Sequence, residues 1–209
     1  MYYIRQIQCI QMTDYLYYDG LSIPIIKIGR GSSKFFSNLV RSYAKNYDMV
    51  NVVAKGYKIN LAIWVIYQLS NEYLIRDITV NWEFHHIYIS FFVYSKHIPK
   101  PIELFHPVES GYCVKVGKNS DEDTLHRLIN KNDQCYIVAA GSSCIIACQL
   151  LIYSLAIGFM TNDIEVIKTT DSNGNEKAGM KVYIYKPIPY NEDTNMYNMQ
   201  GGSVQKEAL

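Results

Sequence analysis

Residues 25–40, IIKIGRGSSKFFSNLV, and residues 52–66, VVAKGYKINLAIWVI, decide the fold. Each starts as a β-branched run, meets a glycine beside basic residues, and passes into a helical pattern. Ile23 to Arg30 reads as a strand that stops at Gly29. Ser32 and Ser33 can cap a helix. Phe35, Phe36, Leu39, Val40, Tyr43 and Tyr47 then recur at helical spacing, with Arg41 and Lys45 off that stripe. Met49 to Ala54 predicts a strand and Lys55-Gly56-Tyr57-Lys58 a turn. Ile59 to Tyr73 predicts a second helix. It is apolar nearly all round, so it must be buried on more than one side. Ile75 to Phe84 and Ile87 to Tyr94 alternate as two strands about His85-His86. The order is β-α-β-α-β-β.

The same order recurs further along. Tyr112 to Gly117 predicts a strand, Ser120 caps a helix running to about Asn132, and Gln134 to Ala139 predicts the next strand. Ser143 to Phe159 is a very apolar helix with Gly158 near its end. Asp163 to Thr169 and Met180 to Lys186 are strands joined by the polar loop DSNGNEKAG. Lys27-Ile28-Gly29-Arg30 matches Lys115-Val116-Gly117-Lys118, 88 residues on. Val53-Ala54-Lys55-Gly56 matches Val138-Ala139-Ala140-Gly141, and Ala62 matches Ala147, both 85 residues on. The second copy is therefore three residues shorter in or beside its first helix. A repeat of this size dictates the architecture before any single element does.

These residues resemble the Alba family of small nucleic-acid-binding proteins. The family pattern is a strand ending in Ile-Gly-basic, a helix, then Ala-basic-Gly-(basic or aromatic)-x-Ile-Asn opening the second helix. Ile28-Gly29-Arg30 and Ala54-Lys55-Gly56-Tyr57-Lys58-Ile59-Asn60 fit it in order and separation. The resemblance covers residues 21–96 well and 111–187 less well. It implies an α/β (α+β) fold of two tandem β-α-β-α-β-β domains, packed as an intramolecular pseudo-dimer through helices 59–73 and 143–159. It also implies DNA or RNA as partner. The expected division is an N-terminal extension at 1–20, a basic domain at 21–97, a proline-rich linker at 98–110, a degenerate domain at 111–188 and a polar, disordered tail at 189–209. Arg5 to Cys9 partly alternates and predicts a short strand within the extension, and Asp19-Gly20 marks a turn.

The chain has 209 residues, 49% hydrophobic and 19% charged, with a net charge of +1. That composition excludes disorder for most of its length and excludes coating nucleic acid by charge alone. Five cysteines without tight spacing argue against a secreted disulfide scaffold. The N-terminus lacks a basic segment followed by an apolar run, so a cytoplasmic or nuclear protein is expected. Ser142 to Met160 is slightly short for a membrane span and lacks basic flanks, which favours a core helix.

Charge separates the two copies. Residues 21–96 hold nine Lys/Arg and four Asp/Glu, net +5, whereas residues 111–187 hold eight of each. From Lys27 to Lys58 there are seven basic residues against Asp48 alone. Arg30, Lys34, Lys55 and Lys58 lie in or beside two strand-to-helix turns of one sheet, so their loops can share one end. There they are suited to phosphate. Tyr57 is suited to stacking on a base or ribose. In the second copy Lys118 answers Arg30, but Ala140 and Ser143 replace Lys55 and Lys58, and Asp121-Glu122-Asp123 should repel phosphate.

Other constellations read as structural. Ser120-x-x-Asp123 resembles a capping box. Cys144 and Cys148, four apart on an apolar helix, read as buried small side chains rather than metal ligands. His85-His86 lies in a tight turn, and His97 and His106 lack a partner spacing. No nucleophile elbow, P-loop, HExxH or CxxC is present. The expected activity is therefore binding, with no cofactor and no catalysis. A rival expectation is a scaffold that has lost nucleic-acid binding, or a protein-contacting subunit of a ribonucleoprotein such as ribonuclease P. Further pairing of two tandem chains is compatible with either.

Overall fold

The computed structural model describes residues 13–18, 21–83, 85–95, 111–170 and 174–187. The expected strand at Arg5–Cys9, the linker 98–110, His97, His106 and the tail 189–209 lie outside the described residues. The fold is mixed α and β, with four helices of two turns or more and two mixed sheets among the described residues.

The first half runs β1 (Thr13–Tyr18), β2 (Leu21–Ile28), α1 (Ser33–Ala44), β3 (Met49–Lys55), a 3₁₀ turn at Gly56–Lys58, α2 (Ile59–Leu69), β4 (Leu74–Glu83) and β5 (His86–Tyr94). Its sheet has the order β1-β2-β3-β5-β4. β2 and β3 are parallel, with Ile28 opposite Ala54, and every other pair is antiparallel. The second half runs β6 (Tyr112–Val116), α3 (Glu122–Lys131), β7 (Gln134–Ala140), a 3₁₀ turn at Gly141–Ser143, α4 (Cys144–Ala156), β8 (Met160–Thr170) and β9 (Glu176–Tyr185). Its sheet has the order β6-β7-β9-β8, again with only the first pair parallel.

The repeat extends to backbone irregularities. The β4–β5 register shifts between Arg76 and Thr79, and the β8–β9 register shifts between Thr161 and Ile164, 85 residues later. Gly56 and Gly141 both take the left-handed conformation, φ +55° and +58°, to open their 3₁₀ turns. A residue with a Cβ pays sterically there, which is why both copies keep glycine. The three-residue deficit is also explained. α1 has 12 residues and α3 has 10. The turn after α3 is two residues shorter than that after α1, and the turn before it one residue longer.

Periodicity accounts for the packing. Val50, Val52 and Ala54 on β3 and Ile89, Phe91 and Val93 on β5 form one buried face beneath the helices. α1 buries the narrow set Phe36, Ser37, Val40 and Ala44. α2 buries Ile59, Ala62, Ile63, Val65, Ile66 and Leu69, and α4 buries Cys144, Ala147, Cys148, Leu150, Leu151 and Ser154. These wider faces touch more than their own sheets. α2 contacts β8, β9 and α4, while α4 contacts β4 and β5. Side chains of both halves join one continuous core. Lys168 on β8 bonds Glu176 and reaches Tyr67 on α2. No helix of the described residues is long and apolar enough to cross a membrane.

Several expected boundaries move. Thr13–Tyr18, expected within an extension, pairs along β2 as an edge strand. α2 ends at Leu69 rather than Tyr73, and a hydrogen-bonded turn, Glu72 and Tyr73 N–H to the Leu69 carbonyl, leads into β4. The α3 cap is Asp121, not Ser120: its carboxylate accepts from the Thr124 N–H at 2.9 Å. Ser120 Oγ instead accepts from the Gly117 N–H at 2.8 Å and tightens the preceding turn. β9 begins at Glu176, so the expected loop loses Glu176 to Gly179 to the strand.

Gly56→Ala and Gly141→Ala should each cost about 1 kcal/mol in urea unfolding, from the left-handed backbone alone. Gly29→Ala is the matched control. Its backbone is not left-handed and an added Cβ meets nothing within 4 Å, so its midpoint should not shift.

Candidate nucleic-acid interface

The parallel pairing of β2 and β3 builds this surface. Because Ile28 is opposite Ala54, the chain leaves both strands at the same sheet end. Gly29-Arg30-Gly31 leads into α1, and Lys55 with Gly56–Lys58 leads into α2. β5 enters the sheet here too, since Lys55 pairs with Tyr88, so the β4–β5 turn shares this end. Ligand sites of open α/β sheets form beyond the carboxyl ends of parallel strands for this geometric reason.

The sequence-predicted residues fall as follows. Arg30, Lys34, Lys55 and Tyr57 are exposed and Lys58 is half-buried, all at this end. Lys118 is exposed in the turn after β6, on the second sheet. The Lys58 ammonium lies 4.5 Å from the centre of the Tyr57 ring, and the Lys55 ammonium 5.7 Å from that of Tyr88. Each cation leans on an aromatic face. None of Arg30, Lys34, Lys55 or Lys58 pairs with a carboxylate among the described residues.

The helix starts reinforce the positive potential. Ser32 caps α1 by accepting from the Phe35 N–H at 3.2 Å, and the first turn of α1 has no acid. α2 has neither an acid in its first turn nor a side-chain cap. It continues directly from the Gly56–Lys58 turn, the Ile59 N–H donating to the Gly56 carbonyl. In the second half α4 likewise starts without an acid or a side-chain cap, and only α3 inverts the pattern. Glu122 and Asp123 occupy the first turn of α3, and hydrogen bonds from Thr124 hold the Asp121 carboxyl below the usual carboxylate range. Lys177 folds back over the Gly141 turn, 3.8 Å from where a Cβ would sit.

The count of seven basic residues between Lys27 and Lys58 needs correction as a surface. Arg41 lies in the α1–α2 seam, donating from Nε and NH2 to both Glu72 oxygens at 2.9 and 2.6 Å. That fork raises its pKa further. Ser37, Gln68 and Ser33 continue the seam in a hydrogen-bonded chain. Lys45 lines a cavity of about 410 Å³ at the far end of α1, with Asp48, Glu72 and Tyr73. Along α1, Arg41 is about 10 Å from Lys34.

Sequence reasoning missed three aromatic residues at this end. Tyr88 backs Lys55. Phe35, expected on the buried stripe of α1, is 50% exposed and meets Phe36 edge-on at 5.1 Å. Trp82, at the end of β4, is 52% exposed. Adjacent helical positions point about 100° apart, and Val40 and Ala44, four and eight residues beyond Phe36, place the core stripe on Phe36 rather than Phe35.

The two helical cysteines sit elsewhere. Cys144 and Cys148 are fully buried, with Cys148 Sγ 3.8 Å from Met180 Sδ. Burial pushes the Cys144 thiol up to about 11 and the Cys148 thiol higher still. No group of three or more His, Cys, Asp or Glu able to hold a metal forms among the described residues.

Two outcomes follow from these placements. In a Cys9→Ser protein at pH 8, a thiol reagent should titrate Cys113 promptly, whereas Cys135, Cys144 and Cys148 should react only on adding denaturant. Arg41→Gln should lower stability by about 1 kcal/mol or less, because the pair is partly solvent-screened. The same change should leave any nucleic-acid affinity unaltered, as read by urea titration beside a binding curve. Neither family models, nor curated proteins, nor solved structures show a match to this chain.

Proposed function

We propose that this chain is a non-catalytic nucleic-acid-binding protein. In this reading two Alba-like domains pair within one chain as a pseudo-dimer, and the first grips RNA or DNA by its phosphates. The observation that carries it is the convergence of two glycine turns on one sheet end. They place Arg30, Lys34, Lys55 and Lys58 at that end with no carboxylate partner among the described residues, beside two helix starts without acids. Exposed cations of this kind suit a charged phosphate backbone. The second domain is a structural partner whose own helix start is acidic. A protein-contacting role in a ribonucleoprotein is the rival, and salt separates the two.

The test is anisotropy of a labelled 15-nucleotide RNA and a 15-base-pair DNA at about 50 and 200 mM salt. Four phosphate contacts on a single strand predict about a 50-fold loss of affinity over that range. The variant Arg30→Glu/Lys55→Glu/Lys58→Glu should abolish binding while keeping the wild-type urea midpoint to within about 1 kcal/mol. Absence of binding at the lower salt would overturn the proposal.

A further inference from the structure

The large apolar side chains left exposed in the first half are Phe35, Tyr57 and Trp82, at 50%, 76% and 52% among the described residues. All three are aromatic rings, and all three sit at the end of the sheet that carries the cations. Leu, Ile, Val and Met are absent from that exposed set in this half. The second half differs: its exposed set includes Leu155, Ile157 and Met160. The core of an interface for another protein is depleted in lysine. Here the rings are interleaved with charge instead. Phe35 follows Lys34, and the Lys58 ammonium sits over the Tyr57 ring.

The topology sets the spacing of the rings. β5 contacts the Gly56–Lys58 turn on one side and pairs Ile87 with Trp82 on the other. Tyr57 and Trp82 therefore flank the same end of β5. Trp82 stands two strands from β3, about 10 Å across the sheet. The β4–β5 connection is short, with only residues 84 and 85 between Glu83 and His86, so no long arm extends past the rings.

Resting on the nucleic-acid reading above, we infer that this surface selects unpaired nucleotides, with Tyr57 and Trp82 as stacking platforms and the four cations on the intervening phosphates. Bases inside a duplex are already stacked and offer no free face. Splayed single-stranded bases do, and aromatic side chains take them with little sequence preference. Phe35 extends the row beside Lys34.

The experiment compares a labelled 15-nucleotide U-rich RNA, the corresponding T-rich DNA strand and a 15-base-pair DNA duplex at one salt concentration. Both single strands should bind at least about 10-fold more tightly than the duplex. Tyr57→Ala and Trp82→Ala should each weaken single-strand binding about 10-fold, a larger loss than either shows on the duplex. Intrinsic tryptophan emission should fall when the single strand binds, and Trp82→Ala should remove most of that change, since Trp64 is half-buried in α2. Urea melts of both variants verify that each remains folded. Equal affinity for strand and duplex, with the two variants binding like the parent, would overturn stacking and leave the phosphate reading intact. No binding by any of the three ligands would overturn the phosphate reading, and the inference with it.

Discussion

Each half of this chain makes a helix that its own sheet does not cover. α2 and α4 bury six residues each, spread over an arc of about 160°. Each fully buried Ile, Leu or Val is worth about 1.5–3 kcal/mol, so leaving the α2 face, which holds Ile59, Ile63, Val65, Ile66 and Leu69, in water would consume a typical domain's stability. Contact with β8, β9, β4 and β5 of the opposite half closes those faces and makes one core from two sheets. With the inner faces committed to each other, the turns at the ends of the strands are left to meet anything else.

Those turns show how backbone and side chain answer to different demands. Gly56 and Gly141 share one left-handed geometry and open the same 3₁₀ turn. Around Gly56 stand Lys55, Tyr57 and Lys58; around Gly141 stand Ala140, Ser142 and Ser143. The glycine is therefore kept for the chain path alone, since it persists where the cations do not. The α3 start goes further and spends its N–H groups on the Asp121 carboxylate.

Much of this was legible in the sequence, for physical reasons. β-branched runs, glycine turns and helical periodicity report local geometry directly, so the element order and the 85-residue repeat could be read. Local signals failed where a distant partner decides. Nothing near Arg41 announces Glu72, 31 residues away, so Arg41 looked like a free surface cation. Tyr73 continues an apolar pattern, yet α2 ends at Leu69 and the chain turns there into β4, which pairs with β5. Thr13–Tyr18 looked like an extension because an edge strand needs only a neighbour, here β2, and little burial pattern of its own. Trp82 was hidden in an alternating strand whose final residues outrun the helices that cover the rest.

Joining both halves on one polypeptide also changes their concentration dependence. Two separate subunits that share a core fall apart on dilution, and their folded fraction follows subunit concentration. Here the partner helix is always present at the effective concentration set by the connecting segment, conventionally in the millimolar range for short flexible tethers. The shared core of α2 and α4 thus holds at any protein concentration. It also frees one half from carrying the same surface as the other, which no symmetric pair of identical chains can do.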